Sequence, residues 1–258
     1  MTSRKTIERG AKRSRGKPPS PGAHRARPSV ASPLAGPAHG PRALSHTPRW
    51  HRRKEQRPGE ILAAALDQFV ERGFAATRLE DVARRAGVTK GTMYRYFAGK
   101  TELFQAVVRG SVVPQIEAFE RTIAESRGDS RELLVCFANG WMEGVYHTPV
   151  AGLAKLVTAE AANFPELARF YQDEVIERAV RAVKRLLERG IERGEFRPID
   201  VDAAAFVLRA PFILAAIWKH SMYRLQSSRL DERRFVETYL EMMLRGLLAA
   251  PAKEAADA

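Results

Sequence analysis

From Ile61 onward, apolar residues recur at helical spacing along almost the whole chain. Ile61, Leu62, Ala65, Leu66, Phe69 and Val70 share one face, and Gly73 stands where that helix should stop. "TRLE", Thr77 to Glu80, has the form of a capping box, in which the threonine and glutamate side chains satisfy the first free backbone donors. The helix it predicts carries Leu79, Val82, Ala83 and Ala86 inward and ends at Gly87. Thr89 is placed to cap another short helix with Met93 and Phe97 inward. Gly99 ends that helix, and "KTELFQAVV" opens the next with Leu103, Phe104 and Val107 inward.

The pattern continues downstream. "DSRE", Asp129 to Glu132, is a second capping box, ahead of Leu133, Leu134, Phe137, Trp141 and Val145. His147-Thr148-Pro149 and Asn163-Phe164-Pro165 interrupt the period, with Leu153, Leu156, Val157 and Ala161 between them. One long helix is then predicted to about Arg193, with Phe170, Val175, Ala179, Val183, Leu186 and Ile191 inward. Two more follow, over 201–224 and 231–248. There is no alternating strand pattern and no internal repeat, so the fold class is all-α. The predicted organisation is a disordered Pro/Arg-rich tail (1–54), a three-helix DNA-binding domain (55–104), a larger helical domain (105–250) and a disordered C-terminus (251–258).

Charge changes the picture only once it is located. The tail holds 14 of the 43 Lys and Arg residues and one acid, Glu8, which accounts for the whole net charge of +13. The remainder balances 29 bases with 29 acids, so a nucleic-acid surface there must be a local patch. The single cysteine, Cys136, excludes an intramolecular disulfide, fits a reducing cytoplasm and reads as structural on an apolar helix face. The basic opening is followed by no apolar signal core, and the most apolar stretch, Ala203 to Trp218, is interrupted by Arg209 and Pro211. No membrane span is therefore expected. No nucleophile elbow, zinc-binding histidine pair, phosphate loop or dinucleotide fingerprint occurs. Outside the tail only His147 and His220 remain, so neither catalysis, a metal nor a cofactor is expected.

Three short helices with "AGVT" between the second and third describe a helix-turn-helix. Ala83 and Ala86 are small enough for a close crossing, Gly87 supplies a positive φ, and Val88 plugs the junction. The third helix would then project Lys90, Gly91, Thr92, Tyr94 and Arg95 into a major groove. The run from Ile61 to Phe104 resembles the DNA-binding domain of the TetR family of bacterial repressors. The likeness is carried by Phe69 to Thr77, by "AGVTKGTMYRYF" and by Lys100 at the head of the next helix. "LVTAEAANFPELARFYQDEVIERAV" is similar to the effector-binding domains of AcrR-like members.

The resemblance implies roles for particular residues. Thr77 would lie near a phosphate at the start of helix two, and Thr89, Lys90, Gly91 and Thr92 would form the leading edge of the recognition helix. Tyr94, Tyr96 and Lys100 would meet phosphates, and Arg95 a base or a phosphate; Tyr96 is open between that role and packing on helix one. Arg78, Arg84 and Arg85 read as a solvated face. Glu80 and Asp81 would repel DNA, so helix two should touch it only through its first residue. In the body, Trp141, Tyr146, Phe164, Phe170, Phe212 and Trp218 are candidates to line an effector pocket, with Pro211 kinking its helix nearby. The last two helices, through Phe206, Leu208, Ile213, Ile217, Phe235, Tyr239, Leu240, Met243 and Leu247, would form a four-helix dimer interface.

The function implied is that of a ligand-released homodimeric repressor, cytoplasmic and nucleoid-associated. It would bind a palindromic operator in double-stranded DNA and an apolar or aromatic small-molecule effector. An activator or architectural protein driven by the basic tail stays open as the alternative. The tail's "RGKPP", Arg15 to Pro19, loosely resembles a minor-groove hook.

Overall fold

The computed structural model describes residues 49–225 and 229–249. The rest of the tail, with Arg15 to Pro19, and the C-terminus from 250 lie outside the described residues. The described chain forms eleven α-helices, and the backbone is helical already at Arg49, within the stretch expected to be disordered. The packed portion begins after Pro58, at Ile61.

Helix α1 (Arg49–Ala76) is broken at Gly73, whose φ of 81° only glycine adopts without strain. The break turns the chain so that Phe74, two residues past the exposed Arg72, enters the core. It also leaves α1 carbonyls without helical partners. The Thr77 hydroxyl takes them up, donating to Gly73 O at 2.7 Å and Gln68 O at 3.2 Å. This overturns the first capping box. Helix α2 (Leu79–Arg85) starts from Arg78 with no side-chain cap, because the threonine hydroxyl is already committed to α1.

The turn after α2 forms as expected. Gly87 has φ 64°, and the Val88 N–H donates to Ala83 O at 2.9 Å. Helix α3 (Lys90–Tyr96) is capped by Thr89, whose hydroxyl accepts from the Thr92 N–H at 3.1 Å. Helices α4 (Lys100–Ser111) and α5 (Val113–Glu125) follow, the second with Pro114 in its first turn. Helix α6 (Ser130–Trp141) keeps its cap, Asp129 Oδ1 accepting from the Glu132 N–H at 2.7 Å, and runs into a π-helical turn over Met142–Tyr146.

After α7 (Ala151–Glu160), the expected single long helix is two. These are α8 (Pro165–Tyr171) and α9 (Glu177–Glu192), joined by a π-helical turn over Gln172–Ile176. Leu167 and Tyr171 are the buried residues of α8, and Phe170 is only half-buried. Helices α10 (Val201–Ser221) and α11 (Glu232–Leu247) are capped by Asp200 and Asp231, and one antiparallel bridge joins Phe196 to Leu248. Two further expectations are corrected. Cys136 is exposed rather than packed. By length and composition α10 is apolar enough to cross a membrane, since Arg209 and Pro211 do not interrupt the helix. Its Ala205, Leu208, Phe212, Ala215 and Ala216 are instead buried against other helices of this chain.

Burial divides into two clusters that do not follow the expected boundary at 104. The first joins α1 to α4 with α7, α8 and the second π turn. The second joins α6, α9, α10 and α11. Within the first, Phe69, Phe74 and Phe104 meet edge-on or stacked, and Phe164 from the α7–α8 turn sits 4.8 Å from Phe74. Where α7 crosses α1, a Cβ on Gly152 would stand 2.4 Å from Val70 Cγ1. Gly152→Ala should therefore force the two helices apart and cost about 1–3 kcal/mol in chemical denaturation. Val70→Ala in the same chain should recover part of that loss; no recovery would place the strain elsewhere.

Candidate nucleic-acid interface and effector cavity

Helix α3 has two unlike faces. Met93 is fully buried and Phe97, at its end, nearly so, both within the first cluster. The opposite face presents Thr89, Lys90, Gly91, Tyr94 and Arg95 to solvent, Tyr94 being 44% exposed. Thr92 is half-buried, its hydroxyl 3.0 Å from that of Thr89. Tyr96 is half-buried and packs against the first cluster, with the Arg95 guanidinium 5.4 Å from its ring centre. Lys90, Gly91, Tyr94 and Arg95 share one stripe by the four-residue spacing of a helix, and the Gly91 backbone is uncovered.

Two of the residues assigned to phosphates are committed elsewhere. Thr77 is buried with its hydroxyl on α1 carbonyls. Lys100 donates to Ala75 O at 2.9 Å and lies 4.6 Å from the Phe74 ring centre, and burial pushes its pKa below the ordinary lysine value. The Ala75 N–H meanwhile donates to Glu160 at 3.2 Å. Lys100 and Glu160 thus pin the stretch just after the Gly73 break from two sides.

Sequence reasoning turned Glu80 away from the duplex, and the structure puts it beside α3. Its Oε1 lies 2.9 Å from Lys90 Nζ and accepts from the Tyr94 hydroxyl at 3.2 Å. The lysine bond holds the Glu80 carboxyl down at about 2, so it is charged at any physiological pH. The arginines of α2 are likewise occupied. Arg84 pairs with Asp81 at 2.8 Å, and Arg85 bridges Asp67 and Glu71 of α1, each at 2.8 Å. Such exposed pairs exchange readily for phosphate. The local patch that charge balance required is therefore Lys90 with Arg95, muted by Glu80.

A cavity of about 330 Å³ lies between the two buried clusters. Val112, Val157 and Tyr171 belong to the first cluster, Phe119, Phe137, Trp141 and Phe212 to the second, and both π turns reach it through Val145, Val175 and Ile176. Of the six aromatic candidates, Trp141 and Phe212 line it. Tyr146 is fully buried beside it, its hydroxyl 2.8 Å from that of Tyr223. Phe164 and Phe170 pack on Phe74 and Phe104 instead, and Trp218 is exposed on α10. Tyr171, another of the large polar-tipped residues from which a pocket lining was expected, does line it, whereas Arg209 was missed; its position inside an apolar helix was the only signal.

Residues 61–107 match the bacterial regulatory proteins of the tetR family, and residues 124–231 match the tetracyclin repressor-like C-terminal domain. The chain is 30% identical over 193 residues to the transcriptional repressor KstR2 of Mycobacterium tuberculosis, covering 74% of this chain and 92% of that protein. It is 31% identical over 111 residues to the transcriptional activator FasR of Mycolicibacterium smegmatis, covering 43% of this chain and 48% of that protein. The structure of the ketosteroid transcriptional regulator KstR2 of Mycobacterium tuberculosis superposes with a TM-score of 0.59 at 28% identity, over 75% of this chain and 96% of that one.

Because Glu80 neutralises the leading edge of α3, Glu80→Gln should tighten binding of the full chain to a generic duplex by roughly two- to fivefold at low salt. Fluorescence anisotropy across a salt series checks this. Unchanged or weaker binding would remove Glu80 from the interface.

Proposed function

This chain belongs to the tetR family of bacterial regulatory proteins, and from that premise we propose that it is a homodimeric repressor released from a palindromic operator by a small apolar ligand. The observation that carries the DNA reading is the division of α3. One face is locked into the first cluster by Met93 and Phe97, and the other offers Lys90, Gly91, Tyr94 and Arg95 to solvent, with Lys90 and Tyr94 held only by the exposed Glu80. Lys90 reaches base acceptors or phosphate once it leaves Glu80, and Gly91 allows close backbone approach. Tyr94 and Arg95 then lie one turn further along the groove. Thr92 is spared for the cap and for a contact at the duplex edge, Tyr96 serves packing first, and Thr77 contributes backbone rather than hydroxyl.

One helix of this length reads too few base pairs for selectivity, and a two-fold dimer supplies the second half-site. The surface that fits is the outer face of α10. Phe206 is 72% exposed and Leu214 58%, with Val207, Trp218 and Met222 beside them and Met242 on α11. Leu208, Tyr239 and Leu247, first assigned to that interface, are buried in the second cluster of their own chain and take no part in it.

Coupling follows from where the cavity lies. Its walls belong to two separately packed clusters, one holding α3 and the other carrying the dimer face. A ligand filling it favours the conformer with the clusters further apart, in which the two recognition helices no longer match successive grooves. It shifts that balance only by its difference in affinity for the two conformers. The KstR2 relatives are repressors, whereas FasR is an activator, and activation is the second reading. The protein acts in the cytoplasm as a regulator rather than an enzyme.

Selection of random duplexes by the full chain, followed by titration of the recovered site, tests this reading. Two-fold symmetric sites are expected, bound by a dimer. Lys90→Ala and Tyr94→Ala should each weaken binding about tenfold or more with helix content and dimerisation unchanged. Asymmetric sites, or full affinity in both variants, would refute the assignment. Removing residues 1–48 should flatten the salt dependence and keep selectivity; lost selectivity would favour the tail-driven alternative.

A further inference from the structure

Arg209 is, among the described residues, the one charged residue lining the cavity, and no counter-charge meets it there. Among the described residues no carboxylate pairs with its guanidinium, and no carbonyl or hydroxyl accepts from it. It projects from the middle of α10, one turn before Phe212 and Ile213 and two before Ala216, which complete the same wall. An arginine stays protonated even where burial lowers its pKa, as it does here, so a half-buried positive charge faces an apolar hollow without compensation. The polar group that it senses is the Tyr171 hydroxyl on α8. It too lines the cavity and makes no hydrogen bond among the described residues, and burial pushes its pKa up to about 12, so it is a donor at neutral pH.

Of the remaining polar lining, the Gln115 amide is neutral and the two threonines are already employed. The Thr122 and Thr158 hydroxyls donate to carbonyls of their own helices, Ala118 O at 2.9 Å and Ala154 O at 2.8 Å. A cationic donor from α10 and a hydroxyl donor from α8, neither committed among the described residues, therefore face a site walled mainly by Val, Ile, Phe, Trp and Ala side chains, with Gln115 as its one neutral amide. Buried polar groups are ordinarily satisfied, and an unpaired buried charge is the costliest exception. A neutral apolar ligand would leave both donors unmet and strip their remaining water.

We propose that the ligand of this cavity is an amphipathic carboxylic acid, its apolar body held by the aromatic and aliphatic walls and its carboxylate received by the Arg209 guanidinium and the Tyr171 hydroxyl. This rests on the reading of the cavity as the effector site. It also gives the ligand a grip on both clusters at once, because Tyr171 belongs to the one that holds α3 and Arg209 to the helix of the dimer face. The head group is then the part of the ligand that senses their separation.

Matched probes test it on the full-length protein, with quenching of Trp141 fluorescence as the readout, since that indole lines the cavity. Decanoate is compared with decanol, and naphthalene-2-carboxylate with naphthalene-2-methanol. In at least one pair the acid should bind about tenfold or more tightly than the alcohol, the scale of a charge-assisted hydrogen bond. Arg209→Met should erase that preference with the alcohol bound as well as before. Arg209→Lys should retain it, which separates lost charge from a misfolded pocket. Tyr171→Phe should reduce it in part. Alcohols bound as tightly as acids, or a preference that survives Arg209→Met, would overturn the head-group assignment and leave the cavity reading standing. Binding of none of the four probes would overturn both.

Discussion

The reading head of this protein depends on a single backbone turn. Gly73 adopts a left-handed conformation at the end of α1, and that turn delivers Phe74 into a cage of Phe69, Phe104 and Phe164. Phe69 and Phe104 come from the first and fourth helices, and Phe164 from the turn between α7 and α8. The pinning of Ala75 by Lys100 and Glu160, and of Gly73 by the Thr77 hydroxyl, follows from the same turn. α2 and α3 then inherit their orientation, because Leu79, Val82, Met93 and Phe97 bury against the surface so formed. A Cβ at residue 73 would be strained by the backbone itself, before any question of space arises.

The consequence is that the DNA-binding helices do not form a self-sufficient core. Their apolar faces merge with α7 and α8 of the body, and the body's other helices keep a core of their own. The cavity lies along the seam. Both π-helical turns border it, and such turns, which widen a helix by one residue, are common where a helix has to open for a ligand. The coupling proposed here would need no long chain of contacts, because the cluster that holds α3 forms one wall of the cavity.

What the sequence disclosed and what it withheld divide along physical lines. The face of α3 was legible because a seven-residue helix with Met93 and Phe97 inward leaves only one arrangement for Lys90, Gly91, Tyr94 and Arg95. Gly87 and the Thr89 cap were legible for the same reason, being local. The first capping box misled because two local rules compete at Thr77: the carbonyls freed at Gly73 outbid the N–H groups of α2 for one hydroxyl. Glu80 was read from helix two alone, whereas its partner lies on the next helix. In the body, large aromatics such as Phe164 and Tyr146 fill space between helices, so side-chain size marked core rather than cavity. The cavity's charged residue looked instead like a flaw in an apolar helix. The π turns carry no compositional mark, and they shifted the buried positions of α8 from Phe170 to Tyr171.

Helix α3 thus takes its stability and orientation from the body through the aromatic cage. Hydrogen exchange of the full chain with Phe164→Ala tests this most directly, since Phe164 belongs to the body and its ring meets Phe74 in the cage. Loss of protection is expected across Leu79–Phe97, by about tenfold or more, with α9 and α10 unchanged. Protection of α3 that stays at its original level, with loosening confined to the α7–α8 turn, would contradict the account.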